Sequence, residues 1–243
     1  MRDGMQLSAR LLPFLATVLL SLPLLGATVT GQIRLAESSD SAVKNQSDFF
    51  GVVVWLIPVD DPVARPARKH ATMLQKDKRF SPHVLAIETG TIVDFPNQDP
   101  IFHNAFSNFN GQIFDVALYP PGSSKSVRFE RPGIVRVFCN IHPSMSAVIV
   151  VVDSNYFSTT DRDGRFTISN VEFGKYHMHV FHERATPEIL DRLTRTIAIR
   201  DENVELASMT VSEAGYLPGP HKNKYGRDYP VNSDQQGYSL PLK

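Results

Sequence analysis

Phe138-Cys139-Asn140-Ile141-His142-Pro143-Ser144-Met145 is the stretch on which the reading of this chain turns. It holds the only cysteine among 243 residues, followed closely by an imidazole and a thioether. Residues 134–138, Ile-Val-Arg-Val-Phe, read as a β-strand entering the stretch, and residues 147–152, Ala-Val-Ile-Val-Val-Val, as one leaving it. On the incoming strand Val135, Val137 and Cys139 share one face by the period of two. That face is apolar, so the cysteine is expected at the inner end of the strand, with the loop capping its domain rather than filling the core. The return to Met145 is short and Pro143 stiffens it. A loop this tight can hold His142 and Met145 beside Cys139 with little freedom to rearrange.

Thiolate, imidazole and thioether are the soft and borderline donors that copper takes in a trigonal Cys/His/His site with a weak axial Met. The second histidine has to come from elsewhere. The best candidate is His103, in Phe95-Pro96-Asn97-Gln98-Asp99-Pro100-Ile101-Phe102-His103-Asn104. Read one at a time, a lone cysteine is usually a small buried hydrophobe and a lone histidine an ordinary polar residue. Read together, in this order and inside a strand–loop–strand pattern, the copper reading stands well ahead.

Asp99-x-x-x-His103-Asn104, then Pro132-Gly133, then Phe138-Cys139-x-x-His142-x-x-Met145 resemble the cupredoxins, the family of plastocyanin, azurin and amicyanin. The Cys-x-x-His-x-x-Met loop is most similar to that of amicyanin. The resemblance implies a β-sandwich with one type-1 copper ion. His103, Cys139 and His142 would be its equatorial ligands and Met145 the axial one. Asn104 would tie the two ligand loops together by hydrogen bonding. By the same likeness His142 would be the electron exit at the protein edge, beside an apolar rim of Pro143, Pro100 and Phe102.

Composition agrees with an exported protein. Arg2 and Arg10 precede an apolar run, residues 11–25, that ends in Gly26-Ala27, the layout of a signal peptide. The run is short for a membrane span and contains Pro13 and Pro23. An uncleaved anchor is the alternative to cleavage. Removing residues 1–27 leaves 23 basic and 24 acidic side chains, a balance that suggests neither nucleic acid nor a polybasic membrane patch. One cysteine cannot form an internal disulfide, and a free thiol is a liability in an oxidising compartment. A metal ligand is the simplest reason to keep it. A periplasmic or secreted location follows, with no membrane span in the mature chain.

Residues 29–35 and 51–57 read as strands rich in Val, Ile and aromatic side chains. Residues 60–78, rich in Pro and charge, read as loop. Residues 84–87 and 91–95 are strands around a turn at Thr89-Gly90. Residues 104–112 read as loop, and strands at 114–118 and 126–129 lead through Pro132-Gly133 to the ligand strand. Strands at this spacing fit a sandwich. After Asp153, the residues from Tyr156 to Ile168 carry a hairpin signal with Asp163-Gly164 as the turn. The segment from Asp161 to Glu183 resembles the carboxypeptidase regulatory-like module, a structural attachment that implies no hydrolase. Residues 185–193 read as a short helix, and 195–200 and 204–211 as closing strands. From Ser212 the tail, rich in Gly, Pro, Asn and Asp, reads as extended and disordered, and so as solvated.

The expected organisation is therefore all-β: signal peptide 1–27, a cupredoxin-like Greek-key β-sandwich at 28–153, a small second β-sandwich at 154–212, and a tail at 213–243. The order resembles that of periplasmic methylamine-utilisation or plastocyanin-like proteins. Other clusters weigh less. His177, His179 and His182 form a His-x-His-x-x-His run, but polar histidines on a solvated strand are favoured over a second metal site. Asp161-x-Asp163-Gly164 mimics the start of a calcium loop, yet a plain turn is favoured. His83 is favoured as a surface histidine over an extra ligand, and His221 in the tail is assigned no role. No catalytic motif is found, so an enzyme is not expected. The expected function is that of a one-electron carrier meeting a transient redox partner of cytochrome c or dehydrogenase type. The alternatives are a copper carrier or sensor without electron transfer, and a scaffold or adhesion protein with a degenerate site.

Overall fold

Val135 and Val137 are fully buried, while Ile134 and Arg136 beside them are half-buried, the two-residue period of a strand with one core face. The computed structural model describes residues 26–60, 69–108, 111–217 and 221–230. The expected signal peptide lies, except for Gly26 and Ala27, outside the described residues. The chain runs β1 (Ala27–Ala36), a single helical turn α1 (Ser41–Lys44), β2 (Val53–Pro58), β3 (His70–Thr72), β4 (Leu74–Lys76), β5 (Arg79–Ser81) and β6 (Val84–Glu88). It continues with β7 (Ile92–Pro96), β8 (Phe106–Ser107), β9 (Phe114–Asp115), β10 (Ser124–Arg128), β11 (Gly133–Phe138) and β12 (Ser146–Val152). Then follow β13 (Phe157–Thr159), β14 (Arg165–Val171), β15 (Gly174–Phe181), α2 (Pro187–Leu193), β16 (Arg195–Ile199), β17 (Asn203–Glu205) and β18 (Met209–Ser212). The all-β class expected from the sequence is what is observed. No helix among the described residues is long and apolar enough to cross a membrane.

Two sandwiches result. In the first, the sheet β6-β12-β11-β8-β9 faces β10-β7-β3, with the β4-β5 pair beside it. Phe95, Phe129, Tyr119, Ile149, Val135 and Val137 fill the space between. In the second, β13-β2-β15-β16 faces β14-β1-β17, with β18 also paired to β1. Its core includes Val29, Ile33, Leu56, Phe166 and Met178.

The expected boundary at residue 153 is corrected by these pairings. β1 pairs antiparallel with β14 and parallel with β17 and β18, and β2 lies between β13 and β15. Residues 27–58 therefore belong with residues 157–212, and the first sandwich begins only at β3. Strand patterns reveal which face is buried but not which strand is the partner, and β1 and β2 find theirs more than 100 residues away.

β12 joins the two units. Its run of apolar residues is buried on both faces, as continuous apolar strands are. Ala147, Ile149 and Val151 face the first core. Val148, Val150 and Val152 pack with Val53, Val84 and Phe181 from the other side. Each such side chain removed from water contributes about 1.5–3 kcal/mol, so this strand is a shared wall and not a linker.

Smaller expectations are also revised. Residues 69–76, read as loop, contain β3 and β4, because β3 completes a sheet edge in parallel with β7. β8 lies within the expected loop at 104–112. The Asp163-Gly164 turn is present, closed by Gly164 N–H to Asp161 O at 3.0 Å. However, the strands on either side, β13 and β14, enter opposite sheets, so it forms a corner and not a hairpin. Gly164 has φ +75°, and a Cβ there would fall 1.9 Å from the carbonyl oxygen of Ile33. No other residue fits that turn without displacing β1.

Candidate metal centre

β11 ends at Phe138, the last residue of its ladder with β12. Cys139 follows, and the chain returns through Met145 into β12. The Cys139 amide donates to Met145 O at 3.2 Å and the Met145 amide to His142 O at 3.0 Å, which closes the loop on itself. His103 arrives separately. Its backbone exchanges two hydrogen bonds with Tyr119, at 3.2 and 2.9 Å, and the buried Tyr119 hydroxyl donates to Phe95 O at 2.9 Å.

These loops bring His103, Cys139 and His142 together, with one ligand atom from each within 4.8 Å of the others. The Cys139 sulfur lies 3.9 Å from His103 Nδ1 and 3.6 Å from His142 Nδ1. The two imidazoles meet edge to face, centroids 4.9 Å apart. All three residues are completely buried, and so is Met145. Cys139 and Met145 both belong to the first core, so the expectation that the site merely caps the domain is corrected. His142 is also inaccessible, where an edge exit had been expected.

The surroundings prepare His103 as a ligand. Its Nε2–H donates to the Asp99 carboxylate at 2.7 Å, which fixes the tautomer and leaves the Nδ1 lone pair facing the sulfur. Burial holds the imidazole below its ordinary pKa against the pull of Asp99, so it is neutral, the form a metal ion requires. Burial pushes the Asp99 carboxyl up. The amides of Lys78 and Asp77, together with His103, outweigh that and keep it below the usual carboxylate range. Asn104 accepts from the Asn140 amide at 3.3 Å and donates to Asp115 and Ala117, tying the two ligand loops together as the resemblance implied. One thiol sulfur and two imidazole nitrogens, buried and without a carboxylate in the triad, fit copper better than calcium or magnesium.

The other candidates disperse. His177 meets Thr196 at 3.2 Å on the exposed face of β15, and His179 stacks on Trp55 with centroids 5.1 Å apart. His182 is buried against Glu213 at 3.0 Å. Among the described residues, only His103, Cys139 and His142 form a group of metal-ligating side chains this close. His83 is exposed, as expected of a surface histidine, and it also links two parts of the fold. Its Nδ1 faces Ser146 O at 3.0 Å and its Nε2 the Glu183 carboxylate at 2.9 Å, a contact between the two sandwiches. Sequence reasoning missed the tail entirely. Residues 221–229 lie against the ligand loop, where the backbone carbonyls they engage leave no signature in the sequence.

Several solved structures are similar to parts of this chain. A purple cupredoxin from Nitrosopumilus maritimus is 26% identical over 34% of this chain and 99% of its own, with a TM-score of 0.31. An amicyanin from Paracoccus versutus is 19% identical over 40% of this chain and 97% of its own, with a TM-score of 0.33. A copper-containing nitrite reductase from Thermus scotoductus is 24% identical over 49% of this chain but only 28% of its own, with a TM-score of 0.33. No protein-family model and no curated protein matches the chain.

Proposed function

We propose that this protein is an exported copper protein of the type-1 class that carries single electrons between redox partners and catalyses no reaction itself. The observation that supports this reading is the buried convergence of His103 Nδ1, Cys139 Sγ and His142 Nδ1. His103, Cys139 and His142 would hold the ion, with Met145 as the weak fourth ligand. Copper, when bound, would supply the one-electron couple. Cys139 would contribute a thiolate at the end of a β-strand, and Asp99 would hold His103 in the ligating tautomer. The short loop, closed by its own hydrogen bonds and buried in the core, would resist rearrangement between oxidation states. The reading includes a periplasmic or secreted location, a transient partner of cytochrome c or dehydrogenase type, and a second sandwich of carboxypeptidase regulatory-like kind.

The test is to add Cu(II) to the purified mature protein and record its visible spectrum during chemical reduction and reoxidation. A strong thiolate-to-copper charge-transfer band at one ion per chain, reversibly bleached, is expected. Tight binding without the band would move the reading to a copper carrier or sensor. No stoichiometric binding would refute both.

A further inference from the structure

The segment after the second sandwich returns to the first and settles on the loop that carries Cys139 and His142. The Tyr229 hydroxyl donates to the carbonyl oxygen of Cys139 at 2.8 Å. His221 Nε2–H donates to the carbonyl oxygen of Pro143 at 2.7 Å, and its ring stacks on Phe138 with centroids 4.0 Å apart and planes 25° off parallel. The Lys224 amide donates to the side-chain oxygen of Asn140 at 3.0 Å. These contacts fall on residues 138, 139, 140 and 143, on both sides of the cysteine and next to His142.

The segment is itself braced. Tyr229 and His221 approach to 3.3 Å, Asn223 and Arg227 exchange a backbone bond at 2.9 Å, and Lys222 pairs with Asp228. Lys224 Nζ is anchored on Asp115 at 2.7 Å, beside the Asn104 bridge between the ligand loops. A solvated tail has no reason to satisfy acceptors on the loop that bears Cys139, His142 and Met145.

We propose that Tyr229 and His221 are positioning residues for the 139–145 loop, so that residues 221–229 are a built part of the site. The role at the metal rests on the copper reading; the hold on the loop does not. Fixing the carbonyls of Cys139 and Pro143 sets the peptide planes beside the two loop ligands, and with them the directions of the sulfur and the imidazole.

The test uses the full mature chain with Tyr229→Phe, His221→Ala, His221→Gln and, as a control, Lys125→Ala. In the metal-free protein, the rate at which an aromatic disulfide reagent attacks Cys139 should rise about fivefold in Tyr229→Phe and His221→Ala, the factor that loss of one hydrogen bond from the closed state gives. His221→Gln, which keeps a donor, should restore most of the protection. Lys125→Ala, an exposed change on β10 away from this segment, should stay within about twofold of the parent. In Cu(II)-loaded protein the charge-transfer band and the reduction potential should shift in the first two variants while the thermal midpoint holds. Unchanged thiol rates and an unchanged band would overturn the proposal, as would a loss of thermal stability large enough to account for the rates. If the parent takes up no copper while the thiol rates still rise, the copper reading falls and the hold on the loop stands.

Discussion

His103, Cys139 and His142 come from two loops far apart in the chain and meet within 4.8 Å, whereas His177, His179 and His182, crowded into six residues, each turn to a different partner. Nearness along a strand is a poor route to a metal site. Alternate residues stand side by side and nearly two strand rises apart, and an odd spacing such as that from 179 to 182 puts the third on the other face. Loops at the end of a sandwich escape this, because several strand ends meet there and each delivers one side chain to a common centre. The first set also has its tautomer chosen, with Asp99 on the far nitrogen of His103. In the second set, His182 spends its Nε2 on Glu213 and His179 its ring face on Trp55.

The comparison is broken most severely at the cysteine. Cys139→Ser should abolish the charge-transfer band completely. Because the side chain is in the core, the serine hydroxyl should also cost about 1–3 kcal/mol of unfolding free energy in the metal-free protein, read by denaturant titration. A variant that keeps the band removes the thiolate from the account. Asp99→Asn comes next: copper affinity, measured by competition with a chelator, should fall about 10–100-fold, as for other outer partners of ligating histidines. An unchanged affinity would mean that the carboxylate does not orient His103.

Much of this contrast was legible in the residues. The alternation in β11 placed Cys139 on the core face, and the spacing of His142 and Met145 fitted a closed loop. The unbroken apolar run of β12 carried its burial on both faces. What remained hidden had no local signature. β1 and β2 read as strands, but no pattern in them says that they pair with residues beyond 156. The polar, Gly- and Pro-containing tail reads as solvated because His221 and Tyr229 bond to main-chain carbonyls, and every residue has one. His83 is the exposed group its sequence suggests, but its partner, Glu183, lies in the other sandwich and has no local signature.

A smaller effect separates the two sets by pH. Burial keeps His182 below its ordinary pKa despite Glu213, with Arg184 opposing and Glu183 assisting protonation. The folded protein therefore holds it neutral where the unfolded chain already takes a proton. Its contribution is present in full above about pH 6.5 and is lost as the pH falls from there toward the lowered folded value. Unfolding free energy followed from pH 7.5 to 5.5 should decline in the parent, and less steeply in His182→Asn. Equal slopes would contradict the assignment. Smallest of all, His177→Ala with His179→Ala should leave copper affinity and stoichiometry untouched. The double change should lose only about 0.5–1.5 kcal/mol of stability from the Trp55 stack, and any fall in bound copper would make the second set a site.

X-ray absorption at the copper edge of the loaded protein tests the central claim most directly, because it counts the donor atoms around the ion. The account predicts one sulfur at short distance with two imidazole nitrogens, and loss of that sulfur in Cys139→Ser. A shell of oxygens, or of imidazoles with no sulfur, would contradict it.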